Sequence, residues 1–296
     1  MYYAATKFLL TNEYLVLDNV PALTIPLKYG QTLRATPRVD KTINLTAHDH
    51  NNKVRYTYAS DIDKIQATDL ASMCFDRLQQ NWYISHGRDL QTHIDFDPQR
   101  WLGTSSTFIS LVAQRAQIEP FTLYNQVCSW SWYDLACAQA TTPLLYTRTP
   151  RTITPVTLSD SITQHLYFVY SNQKQSSHNQ VVSYRQTYPQ WVSDSIKKEF
   201  TDMTHELIDN QDIATRQRIL THHDSWLATI LDRDRLVAEL PRTKELWIVK
   251  PLGARWGDFF MIVSERQSQD AKQICSANWY KTCLTRSDIA FEKAQK

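Results

Sequence analysis

Three short segments carry residue types that can bind or act on a charged group. In the first, Lys7 precedes Phe8-Leu9-Leu10-Thr11-Asn12 and the carboxylate of Glu13. In the second, Leu102-Gly103-Thr104-Ser105-Ser106-Thr107 is expected to open a helix. The first turn of a helix has unpaired N–H groups and a partial positive charge. A glycine there lets a phosphate approach closely, and hydroxyls can donate to it or bind a metal. In the third, Ser129-Trp130-Ser131-Trp132-Tyr133-Asp134-Leu135-Ala136 sets an aspartate at a helix start among aromatic residues. Each segment has an ordinary reading when taken alone. Lys7 and Glu13 suit a solvated surface, and the Ser/Thr run and Asp134 suit helix caps.

These residues need elements to position them. Residues 13–17 form a short apolar run that ends in the turn signal Asp18-Asn19-Val20-Pro21, and residues 22–34 alternate as a long strand, so the two read as a hairpin. Further strands are expected over 53–58, 93–96, 143–146, 165–170, 245–249 and 259–263, with a loop at 250–258. Helices are expected over 68–82, from Thr104, from Glu119-Pro120, over 190–208 and over 213–231. The Pro- and Thr-rich stretch 147–155 reads as loop and edge strand. Strands and helices mixed in both halves argue α+β. The domain boundary is expected near residue 160, giving domains 1–160 and 161–296.

Composition narrows the partners. The net charge is +2 with both signs interspersed, which gives no reason to expect nucleic acid or an anionic membrane. There is no apolar run near 18 residues and no basic segment ahead of an apolar core at the N-terminus, so neither a transmembrane helix nor a secretory signal is expected. Five scattered cysteines without C-x-x-C spacing read as reduced thiols of a cytoplasmic protein, and no zinc motif occurs. Glycine is scarce: 5 residues, fewer than the 9 tryptophans.

Taken together and in order, the segments resemble the GHMP kinases (galactokinase, homoserine kinase, mevalonate kinase, phosphomevalonate kinase). Lys7, Thr11-Asn12-Glu13-Tyr14-Leu15-Val16-Leu17-Asp18 and Pro21-Ala22-Leu23 look like the first motif of that family. Trp101 to Thr107 is similar to its phosphate loop, and Tyr133-Asp134-Leu135-Ala136 to the Gly-Tyr-Asp-Ile-Ala signature of one bacterial subgroup. Lys174-Gln175-Ser176-Ser177 also fits that subgroup, and Lys250-Pro251-Leu252-Gly253-Ala254-Arg255-Trp256-Gly257-Asp258-Phe259 resembles the C-terminal glycine-rich motif. The resemblance implies a two-domain α+β fold, with an N-terminal domain of the ribosomal-protein-S5 type and a ferredoxin-like C-terminal domain. It implies ATP and Mg2+ as cofactors and a small-molecule substrate, with the mevalonate branch of isoprenoid synthesis as the pathway.

The resemblance also implies roles. Asp134 would be the catalytic base, and Lys7 would stabilise developing charge beside it. Gly103, Thr104, Ser105 and Ser106 would hold phosphates, and Ser105 would touch magnesium. Glu13 would support the substrate side. Gly253, Ala254 and Gly257 would close over the site. Many relatives place a second magnesium ligand, a glutamate, in the helix before the aspartate. Residues 121–127 have no acid, and Glu119 is the nearest.

Trp101, Trp130, Trp132 and Trp256 stand where the family has glycine, and Asn12 and Asn19 replace two more. Asparagine tolerates positive φ, whereas tryptophan there costs about 1–2 kcal/mol per position. Three readings follow: an active enzyme whose indoles line a remodelled pocket, a pseudokinase that binds a ligand or partner without transfer, or a UGA codon read as tryptophan in place of glycine. TGG codons at the four positions would end the third. Elsewhere, His222-His223-Asp224 reads as a solvated helix face. His48-Asp49-His50 reads as a polar turn, and Cys137 as a small packing residue.

Overall fold

The computed structural model describes residues 1–60, 69–81, 86–97, 103–128, 132–159, 163–171, 181–182, 184–186, 192–210, 212–231, 248–252, 259–264, 268–277, 280 and 282–286. Two compact units form: residues 1–7 with 26–141, and residues 8–25 with 142–296. The strands β1 (Tyr2–Leu9) and β2 (Ala22–Pro37) run from one unit into the other.

In the first unit, β1 pairs β2, and the sheet continues through β5 (Arg88–Ile94), β3 (Ile43–His48) and β4 (Val54–Ala59). β5 is antiparallel to β2 and parallel to β3. The backbones of β1 and β2 approach closely at Gly30. A Cβ there would stand 2.4 Å from the Ala4 carbonyl oxygen, so only glycine fits. The helices are α1 (Leu70–Gln80), α2 (Thr104–Ala116), α3 (Pro120–Val127) and α4 (Tyr133–Ala138), and α2 packs against the other three. Local chemistry starts two of them. The Asp69 carboxylate accepts from the Ala71 and Ser72 N–H groups at 3.0 and 3.1 Å. Glu119 caps α3 by accepting from Thr122 N–H at 2.9 Å, with Pro120 in the first turn. Leu33, Ile43, Leu45, Phe75, Leu78, Ile109, Leu111 and Leu135 are all buried in the core of this unit.

In the second unit, the start of β2 pairs β6 (Leu144–Thr147), which pairs β7 (Thr152–Pro155). β7 is exposed along its length, as the Thr- and Pro-rich composition of an edge predicts. A second sheet, wholly antiparallel, runs β11 (Cys283–Leu284), β8 (Leu166–Tyr170), β10 (Phe259–Val263), β9 (Ile248–Leu252). The uniformly apolar β10 is buried at every residue, and Phe8 stacks on Phe168 with ring centroids 4.7 Å apart. The helices are α5 (Asp194–Asp209), α6 (Ile213–Ile230) and α7 (Ser268–Ala277).

Some sequence expectations are overturned. Residues 13–17 are not a strand: Leu15–Asp18 form a buried 3-10 turn, and the first arm of the hairpin is β1, upstream. Left-handed Asn12 (φ 62°) and Tyr14 (φ 65°) break any extended backbone there. The apolar run lacks alternation because Leu15, Val16, Leu17 and Asp18 are all buried. Lys250 to Leu252, expected in a loop, belong to β9. His223 and Asp224, expected on a solvated face, are buried. The polar turn at 48–53 is present, with Asp49 accepting from Asn51 and Lys53 N–H at 2.9 and 3.0 Å. Among the described residues, no helix is long and apolar enough to cross a membrane.

Candidate active site

In the first unit, the ammonium of Lys7 on β1 meets the carboxylate of Asp134 on α4 at 2.9 Å. The same Nζ donates to the Tyr133 hydroxyl at 3.1 Å and lies 4.9 Å from the centre of that ring. Burial by itself would lower the affinity of Lys7 for its proton. The charge of Asp134, with the Tyr133 contact, more than reverses this and holds the ammonium above the usual lysine range. Both side chains remain partly open, Lys7 16% exposed and Asp134 24%.

The capping alternative does not hold for Asp134. It is the second residue of α4, the N-cap is Trp132, and the carboxylate is turned to Lys7. The same is true of the Ser/Thr run on α2. The N-cap there is Gly103, left-handed at φ 93°, and no side chain caps the helix. A Cβ built on Gly103 would meet only the Lys7 Cε, at 3.8 Å. The space over the start of α2 therefore borders the stem of Lys7. Thr104 is half-buried and Ser105 is exposed at this end, whereas Ser106 is buried. Thr107 faces inward and donates to Gln31 at 2.8 Å.

These residues fit a phosphate group: a helix end without a side-chain cap, a glycine without a Cβ, and an ammonium alongside. For magnesium, the exposed Ser105 hydroxyl is the candidate donor. Glu119, the nearest acid to the expected second ligand, is committed to capping α3. Among the described residues, no group of three or more His, Cys, Asp or Glu is placed to hold a metal.

Trp132 takes up α4 from a left-handed conformation, φ 66° and ψ −17°. Its carbonyl accepts from Leu135 and Ala136 N–H, both at 3.1 Å. A bulky L residue in this region is strained by about 1–2 kcal/mol, and glycine is not. Trp132→Gly is therefore expected to be more stable than Trp132→Ala by about 1 kcal/mol, against the usual order of these two residues. Denaturant unfolding of the two variants checks this. An alanine variant equal or superior in stability would mean that no strain is stored there.

The remaining site candidate that can be described, Glu13, lies in the second unit. It is 2% exposed, and Lys250, fully buried, donates to its Oε1 at 2.5 Å. His223 Nε2 is 3.5 Å from Oε2 and accepts the Asn12 N–H at 2.6 Å. Burial first, and then the Lys250 charge, push the His223 pKa well below its ordinary value, so the ring is neutral. Asn12 also donates to Thr204 Oγ1 at 2.8 Å. Farther along the same segment, Asp18 accepts from Tyr184 and pairs with Arg185 at 2.6 Å. Asn19, left-handed at φ 70°, accepts the Thr149 N–H at 2.6 Å. Sequence reasoning missed His223, Lys250 and Arg185 in this role, and their spacing from the segment gives no signal. Gly253, Ala254 and Gly257, with Trp101, Trp130 and Trp256, lie outside the described residues.

No family model matches the sequence, and no curated protein does. Solved structures do match over nearly the whole chain. Mevalonate kinase from Methanococcus jannaschii is 13% identical with a TM-score of 0.69, covering 96% of each chain. Phosphomevalonate kinase from Streptococcus pneumoniae, in complex with phosphomevalonate and AMPPNP, is 14% identical with a TM-score of 0.71, covering 96% of this chain and 99% of that one. Galactokinase from Lactococcus lactis, complexed with galactose, is 13% identical with a TM-score of 0.65, covering 96% of this chain and 92% of that one. The chain has the mixed α+β fold of the GHMP kinases.

Proposed function

We propose that this protein is an ATP-dependent kinase of small molecules, transferring the γ-phosphoryl group to a metabolite hydroxyl or phosphate. The observation that carries the reading is the 2.9 Å pair of Lys7 and Asp134, on β1 and at the start of α4, beside the uncapped end of α2. In this reading, Asp134 takes the proton of the substrate hydroxyl as its oxygen bonds to the γ-phosphorus and the bond to the β-phosphate oxygen breaks. Lys7 stabilises negative charge on the transferring group and orients Asp134. Gly103 and the N–H groups of Thr104, Ser105 and Ser106 receive the phosphates. Magnesium, when bound, would neutralise charge on those phosphates, and Ser105 would be the residue to hold it. Glu13, expected on the substrate side, is committed to Lys250 and holds the segment at 11–19 in shape.

Mevalonate and phosphomevalonate are the first substrates to test, since kinases of both are among the matching folds. The strained Trp132 beside Asp134 favours a second reading, a pseudokinase that binds a ligand without transfer. Calorimetry with ATP and magnesium separates the two. Binding at submillimolar nucleotide, with transfer to a member of a substrate panel, supports the kinase. Absence of binding at millimolar nucleotide supports the second reading.

A further inference from the structure

We propose that Tyr133 is a positioning residue that clamps the Lys7 ammonium in one place. The inference deepens the kinase reading and rests on it for its functional consequence. Lysine has a long flexible stem, and a single ion pair between partly open groups holds such a stem poorly. Lys7 has more than one contact. Its Nζ lies 2.9 Å from Asp134 Oδ1 and 3.1 Å from the Tyr133 hydroxyl, at the hydroxyl end of that ring and 4.9 Å from its centre.

Two consecutive residues of α4 thus address one ammonium, although neighbouring side chains on a helix normally diverge. They do so because they open the helix behind a left-handed residue, and because tyrosine is long enough to reach back alongside aspartate. The Tyr133 ring is itself buried, so it is a fixed wall and not a mobile one. The clamp keeps the Lys7 stem beside Gly103, at the start of α2. Without it, the ammonium is free to leave Asp134 for solvent and to reach the transferring group in many geometries.

The test is Tyr133→Phe, which keeps the ring and removes the hydroxyl. The variant and the parent chain are acylated with an amine-selective reagent at alkaline pH, and each lysine is followed by peptide mass spectrometry. Lys7 is expected to react several-fold faster in the variant, with Lys28 and Lys197 unchanged. If phosphoryl transfer is established, kcat should fall by about tenfold with little change in KM for nucleotide. An unchanged rate at Lys7 overturns the proposal. So does a rise at all three lysines, which means that the fold has loosened. The labelling needs no activity: if Lys7 is released in Tyr133→Phe while Asp134→Asn retains full turnover, the clamp stands and the assignment of Asp134 falls.

Discussion

Asp134→Asn is expected to reduce phosphoryl transfer by about 10²–10⁴-fold, the usual contribution of a positioned general base. Asparagine has the same shape but cannot take the substrate proton, so the loss should appear in kcat. Nucleotide affinity should persist, because in the proposed reading the first turn of α2 and Lys7 receive the phosphates and this carboxylate does not. Stability should change little. Asparagine keeps a side-chain oxygen that can still accept from the Lys7 ammonium, and the ammonium keeps the Tyr133 hydroxyl. Steady-state kinetics, nucleotide calorimetry and thermal unfolding on the same variant separate these effects. Retained turnover would remove Asp134 from the role of base. Loss of the fold would mean that the ion pair is structural.

The largest stability effect is expected at Glu13. Removing one partner of a buried ion pair leaves an uncompensated charge and costs about 3–5 kcal/mol. Lys250 is fully buried and also donates to the Pro251 carbonyl at 3.2 Å. Glu13→Ala should therefore cost an amount in that range, measured as the shift in denaturant unfolding. Replacing both partners by apolar residues, Glu13→Leu with Lys250→Met, should recover most of the loss, since no charge is then buried alone. A cost below about 1 kcal/mol for the single variant would mean that Lys250 reaches water, contrary to its burial.

The two predictions also separate two kinds of design. Lys7 and Asp134 stay partly open to solvent, as the proposed role requires. Glu13, Lys250 and His223 are closed off, and they act on backbone shape. The segment they hold carries three left-handed residues, Asn12, Tyr14 and Asn19. At Tyr14, the Leu15 N–H reaches the Glu13 carbonyl at 2.8 Å, a tight turn that non-glycine residues adopt only under constraint. Strain of this kind persists where the surroundings over-determine it. Here His223, Thr204, Lys250, Tyr184, Arg185 and Thr149 supply that constraint from far along the chain.

What the sequence determined by itself is local. Glu119-Pro120 announced α3, and Thr104 marked the start of α2. The apolar run 259–263 announced a buried strand, and the mixed order of elements announced α+β. These depend on caps, turns and periodicity, all of which act within a few residues. Asn12, Asn19 and Trp132 were marked only by the resemblance, as positions where the family has glycine, and each has a positive φ. Only the tertiary structure decided that residues 8–25 pack with 142–296, that His223 and Asp224 are buried, and that 15–18 form a 3-10 turn. Burial and the pairing of Glu13 with Lys250 depend on partners 200 or more residues apart, as the 211-residue gap between Asn12 and His223 illustrates. No local spacing encodes such a partner, so these features appear only once the chain has closed on itself.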